Sequence, residues 1–160
     1  MVRLIALLAL LLVTATPAKG ALTHAAELAS IYGDILAGRF DVADTRLAAA
    51  CPPAPAEACQ ALRVAGLWWR IALDPQNVDL DARIERDAEA AIEAARAWTR
   101  REPGRAEAWF YYAAAHAPLV QWRLLRGQRL TAVREASRVK AALERALDLD
   151  PTLHDAQFGI

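Results

Sequence analysis

The chain has 160 residues, 56% of them hydrophobic, with 19 basic against 19 acidic residues and no net charge. That much apolar content excludes a disordered polymer, and the balanced charge gives nucleic-acid binding no global electrostatic support. Alanine, leucine and arginine dominate, the 7 glycines and 8 prolines fall between the apolar runs, and Val, Ile and Thr never cluster with period two, so the composition is that of helices rather than strands.

Arg3 precedes ten apolar residues, Leu4 to Val13, followed by small residues around Ala15 and Ala18. A positive start, a short apolar run and a small-residue tail form the secretory signal pattern. The run is shorter than the roughly 20 residues needed to span a bilayer. Residues 1–20 are therefore expected to be a cleaved export signal, with a retained anchor as the alternative. Residues 21–160 are expected to form the mature domain, periplasmic or secreted, with no stable membrane span. Further along, apolar periodicity predicts helices over 22–37 and 41–50, 56–73 and 79–102, then 105–126 and 129–149. Pro118 lies inside the fifth of these and is expected to kink or split it. The start of a further helix follows Pro151.

A repeat underlies this series. Ile84, Ala88, Ala91, Ala95 and Trp98 are spaced 4, 3, 4, 3, and so are Ala132, Ala136, Val139, Leu143 and Ala146, each 48 residues after its counterpart. That spacing puts five residues on one helical face. Pro103 and Pro151 stand 48 apart as well. Ala106-Glu107-Ala108 is followed 48 residues on by His154-Asp155-Ala156, while Ala56-Glu57-Ala58 precedes it by 50. The unit is helix A, turn, helix B, proline, then helix A again.

These residues resemble the tetratricopeptide repeat (TPR), a 34-residue pair of antiparallel helices. Trp109, Tyr112, Ala113 and His116 keep the family's helix A spacing, as do Leu28, Ile31, Tyr32 and Ile35. Gly38-Arg39-Phe40-Asp41 is similar to its turn, and Val139, Leu143, Ala146 and Pro151 to the end of its helix B. Trp109 to Pro151 is 42 residues where the family has 28, an excess that matches about two extra turns on each helix at roughly 3.6 residues per turn. The resemblance implies an all-α, right-handed stack of antiparallel helix pairs, a TPR-like α-solenoid with three elongated pairs and the start of a fourth. It further implies a concave groove lined by helix A residues just off the core: Gln60, Val64, Leu67 and Trp68 in the second pair, Phe110 and Ala114 in the third. Such a groove takes a protein or peptide partner.

Other features admit plainer readings. Cys51 and Cys59 flank a proline-rich linker and form either a disulfide, as exported compartments favour, or two packed thiols. His24, His116 and His154 are far apart in sequence, and His116 takes a core position of its repeat. Asn77, Asp79 and Asp81 alternate like calcium ligands, but Ala82 and Ala88 stand where the loop glycine and closing glutamate belong, so they are read as charge-matching the start of a helix. Arg123, Arg126, Arg129, Arg134 and Arg138 form either a docking patch for an acidic partner or lipid, or a solvated face paired with Glu135 and Glu144. No nucleophile elbow, P-loop, zincin or dinucleotide motif occurs. The expectation is a non-catalytic interaction scaffold of the cell envelope with no metal and no cofactor. The alternatives are the N-terminal part of a larger envelope transport or assembly protein, and an enzyme whose site lies beyond residue 160.

Overall fold

The computed structural model describes residues 22–157, and the signal expected at residues 1–20 lies outside them. The described residues form α1 (Ala25–Leu36), α2 (Phe40–Ala50), α3 (Ala56–Leu73), α4 (Asp81–Arg101), α5 (Ala106–Leu125), α6 (Arg129–Leu149) and the short α7 (His154–Gln157), with no strand among them. These spans differ from the expected ones by at most three residues at any end. The first two helices have 12 and 11 residues. The next four have 18, 21, 20 and 21, so the extra length falls on α3 to α6.

Each helix packs on its successor. In addition α1 packs on α3 and α3 on α5, whereas α2, α4 and α6 make no comparable contact with one another. Helices α1, α3 and α5 thus form a continuous layer, with α2, α4 and α6 packed on it. Turn chemistry explains the short connections. Gly38 (φ 72°) and Gly127 (φ 75°) are left-handed, and the N–H of Arg39 reaches the Asp34 carbonyl as that of Gln128 reaches Arg123. This is the Schellman ending, in which a side chain at the glycine would be strained. Pro75, Pro103 and Pro151 follow α3, α4 and α6, where the chain cannot continue helically.

The core sits between the two layers. Ile84, Ala88, Ala91, Ala95 and Trp98 are all buried along α4, facing Val64 and Leu67 of α3 and Tyr111 and Ala115 of α5. In α6 the matching face is only partly covered: Ala132, Leu143 and Ala146 are buried, Val139 is half-buried, and Ala136 is exposed. The sequence makes α4 and α6 equal, but α4 lies against both α3 and α5, while α6 has α5 and only the four-residue α7.

Two expectations need correction or completion. Pro118 does not split its helix, since α5 runs unbroken from Ala106 to Leu125. Pro118 is buried among neighbouring helices, and that packing outweighs the lost hydrogen bond. The Ala114 carbonyl is left without its usual donor four residues on. Cys51 and Cys59 are joined in a disulfide, with Cα atoms 6.3 Å apart. It closes the proline-rich linker between α2 and α3 into a small ring whose floor is the buried Cys59 and Ala54.

A crosslink across so short a loop removes little denatured-state entropy, about 2.5 kcal/mol by the loop-closure relation. The double variant Cys51→Ala/Cys59→Ala is expected to unfold in urea with a free energy lower by about that amount. A loss below about 0.5 kcal/mol would show that the linker is held by packing alone.

Candidate functional site

The exposed side of the odd-helix layer is a half-open groove of about 670 Å³. Each odd helix supplies one stripe at 4, 3 spacing. From α1 come Ala25, Ala29 and Tyr32; from α3, Ala61, Ala65 and Trp68; from α5, Phe110, Ala114, Ala117 and then Gln121. Residues three and four apart share a helical face, so the stripes run side by side. Alanine forms most of the floor. Tyr32, Trp68, Trp69 and Phe110 stand up from it as walls, and Leu22 and Asp155 close one end. Asp155 is the only charged residue among the described residues that line it.

Trp68, Phe110 and Ala114 line this groove, while Gln60, Val64 and Leu67 lie outside its lining. Val64 and Leu67 are core residues, 1% and 3% exposed. Gln60 is half-buried outside the lining, with its Oε1 buried and unpartnered. The cause is a one-residue slip. The Ala-Glu-Ala helix starts, 50 apart, map Phe110 onto Gln60, but the stripes correspond at 49, Phe110 with Ala61 and Ala114 with Ala65. One residue is about 100° of helix rotation, enough to exchange groove for core. Trp69, Leu62 and Tyr32 are groove residues that the repeat alone did not single out.

A polar network fixes the end of the groove near Leu22. Glu107 is 3% exposed, and its carboxylate accepts the Thr23 backbone N–H at 2.6 Å and the Thr23 hydroxyl at 2.9 Å. Arg105 donates to the same carboxylate through Nε at 3.0 Å and Nη2 at 2.5 Å. Arg105 also lies over the Trp98 ring and donates to Glu102, which accepts the Trp98 indole N–H at 2.8 Å. A buried carboxylate is tolerable only when so fully bonded. At the opposite ends of the helices Arg126 clamps the turn after α3, donating to Asp81 and to the Pro75 and Asn77 carbonyls. The Trp122 indole also donates to Asp81. Asp81 is thus an ion-pair partner, and the described residues hold no cluster of three potential metal ligands.

The arginines of the third pair are mostly committed: Arg126 to Asp81, Arg138 to Glu135 at 2.8 Å, Arg123 to the Gln128 side chain, while Lys140 pairs with Glu144. His116 lies behind the groove wall, 1% exposed. Its Nδ1 is 2.9 Å from the Glu135 carboxylate but out of hydrogen-bonding line with it, and Nε2 has no partner. Tyr112 meets the imidazole edge-on, and Arg138 and Arg96 add positive charge nearby. Burial lowers the His116 pKa and outweighs the opposing pull of Glu135. Among the described residues no helix is long and apolar enough to cross a membrane. No family model, curated protein or solved structure matches the chain.

The His116 shift has a stability consequence. Above about pH 6.5 the imidazole is neutral in both states. Below it the unfolded chain binds a proton that the folded chain refuses, so stability falls by up to about 1.4 kcal/mol per pH unit. His116→Leu, which places in α5 the residue type that α3 carries at Leu67, is expected to flatten this slope between pH 6.5 and 5. Urea melts that fall in parallel for both proteins would refute the assignment.

Proposed function

We propose that this chain is a non-catalytic protein-interaction scaffold of the bacterial cell envelope, built as a TPR-like, right-handed stack of antiparallel helix pairs, which holds a partner polypeptide in the groove of its odd helices. The observation that carries the reading is the stripe shared by α1, α3 and α5: an alanine floor between aromatic walls, almost free of charge, on helices whose other faces are committed to the core. Aromatic side chains offer large contact area at low entropic cost, and a surface held by packed helices is preformed, which limits the cost of binding. The helix-contact order supports the stacked-pair reading, since α1, α3 and α5 pack in series while α2, α4 and α6 make no comparable contacts with one another. The Cys51–Cys59 disulfide supports an oxidising compartment, in keeping with the signal pattern at residues 1–20.

The test is a displayed-peptide library selected on the purified protein. Phe110→Asp places a charge in the apolar wall and is expected to weaken selected peptides at least tenfold, as loss of an aromatic anchor does, with helicity by circular dichroism unchanged. Val64→Asp is expected to unfold the protein, because it buries an unpaired charge in the core. Peptides that bind Phe110→Asp as tightly as the parent would place the binding surface elsewhere.

A further inference from the structure

We propose that the segment seated in this groove is an apolar stretch terminated by a cationic side chain, with the cation held at the end formed by Tyr111 and Asp155. The inference rests on the groove being the binding surface and adds the chemistry of its occupant.

The lining bears on charge first. Any charge the occupant brought to the middle of the groove would lose its water against alanine, tryptophan and phenylalanine and find no partner, a costly arrangement. The body of the occupant must therefore be apolar. Asp155 is the exception, and it stands at one end. Its carboxylate makes no hydrogen bond or ion pair with the described residues. The nearby acid Glu107 is unavailable, being saturated by Thr23 and Arg105.

Tyr111 is the second, independent observation. It is a lining residue of the groove, 3% exposed, with its ring against Trp98 and Phe110. Its hydroxyl makes no hydrogen bond among the described residues and is left partly open to solvent. Both residues line the groove, and burial, the Glu107 charge and then the Asp155 charge raise the Tyr111 pKa. A carboxylate only accepts hydrogen bonds, and a phenol oxygen accepts as well as donates. An ammonium or guanidinium can donate to either group. A carboxylate on the occupant would be repelled by Asp155 and could use only the phenol O–H.

The experiment uses the purified full chain and blocked ten-residue peptides of leucine and alanine that carry a single terminal Lys, Gln or Glu, with binding read from tryptophan fluorescence. Because Asp155 is largely exposed, the expected preference is modest: Lys roughly three- to fivefold tighter than Gln and about tenfold tighter than Glu at low salt, shrinking as salt is added. Asp155→Asn is expected to bring the Lys peptide down to the Gln peptide and leave the Gln peptide unchanged. Tyr111→Phe, which keeps the ring stack, is expected to weaken the Lys peptide more than a Leu-ended control. If all three peptides bind equally and all are lost in Phe110→Asp, the groove stands and the cation site is overturned. If none binds, or Phe110→Asp changes nothing, the groove reading itself fails and this inference with it.

Discussion

The arrangement depends on alanine at the helix contacts. Ala58, Ala88, Ala95, Ala108, Ala115 and Ala146 are each fully buried where one helix meets the next. A methyl group lets helix backbones approach closely, at the short end of the usual 8–10 Å or so between axes, and alanine costs no side-chain entropy in a helix. The cost is that alanine buries little apolar surface, about a quarter to a half of what an isoleucine would remove from water. Long helices compensate: 18 to 21 residues in α3 to α6 multiply small contacts along the length. The larger anchors, Ile31, Leu47, Val64 and Ile84, are each buried to 2% exposure or less between the layers.

That choice also explains where the aromatic residues stand. A tightly spaced core leaves room for few rings, and those it accepts, Trp98, Tyr111 and Trp122, lie near helix ends or use a polar handle. Both buried indoles donate their N–H to carboxylates, Glu102 and Asp81. Tyr32, Trp68, Trp69 and Phe110 instead face the groove. Two ion-pair networks then set the ends. Arg105 with Glu107 and Thr23 fixes the start of the described chain to α5, and Arg126 with Asp81 fixes the turn after α3 to the turn after α5. Each links segments far apart in sequence, so the helix ends cannot fray independently of the layer they belong to.

How far the sequence could be read follows from the same physics. Helix spans were legible because prolines and glycines punctuate them and because apolar spacing of 3 and 4 is unambiguous over 20 residues. The α4 face was legible to the residue, since all five members are buried. The groove was legible only in part. Two offsets, 48 in helix B and 50 at the helix A starts, straddle the 49 that relates the inner stripes, and a rotation of about 100° per residue makes that difference decisive for Val64 and Leu67. The equal spacing of Ala61, Ala65 and Trp68 to Phe110, Ala114 and Ala117 was present in the letters, hidden by the abundance of alanine. The fate of Pro118 and of the two cysteines depends on neighbours distant in sequence, and no local pattern encodes those.

A preformed groove also constrains what can bind it. Its floor is backbone and methyl groups on helices whose opposite faces are packed, so it cannot rearrange to suit a bulky partner without opening the core beneath it. In the complex proposed above, recognition would come from the partner adapting to the walls, and selectivity from what the walls refuse. Alanine floors admit large apolar side chains and reject charge, because a charge placed there loses water without gaining a partner. Among the described lining residues Asp155 is the one carboxylate, and it gives a largely apolar trough a direction.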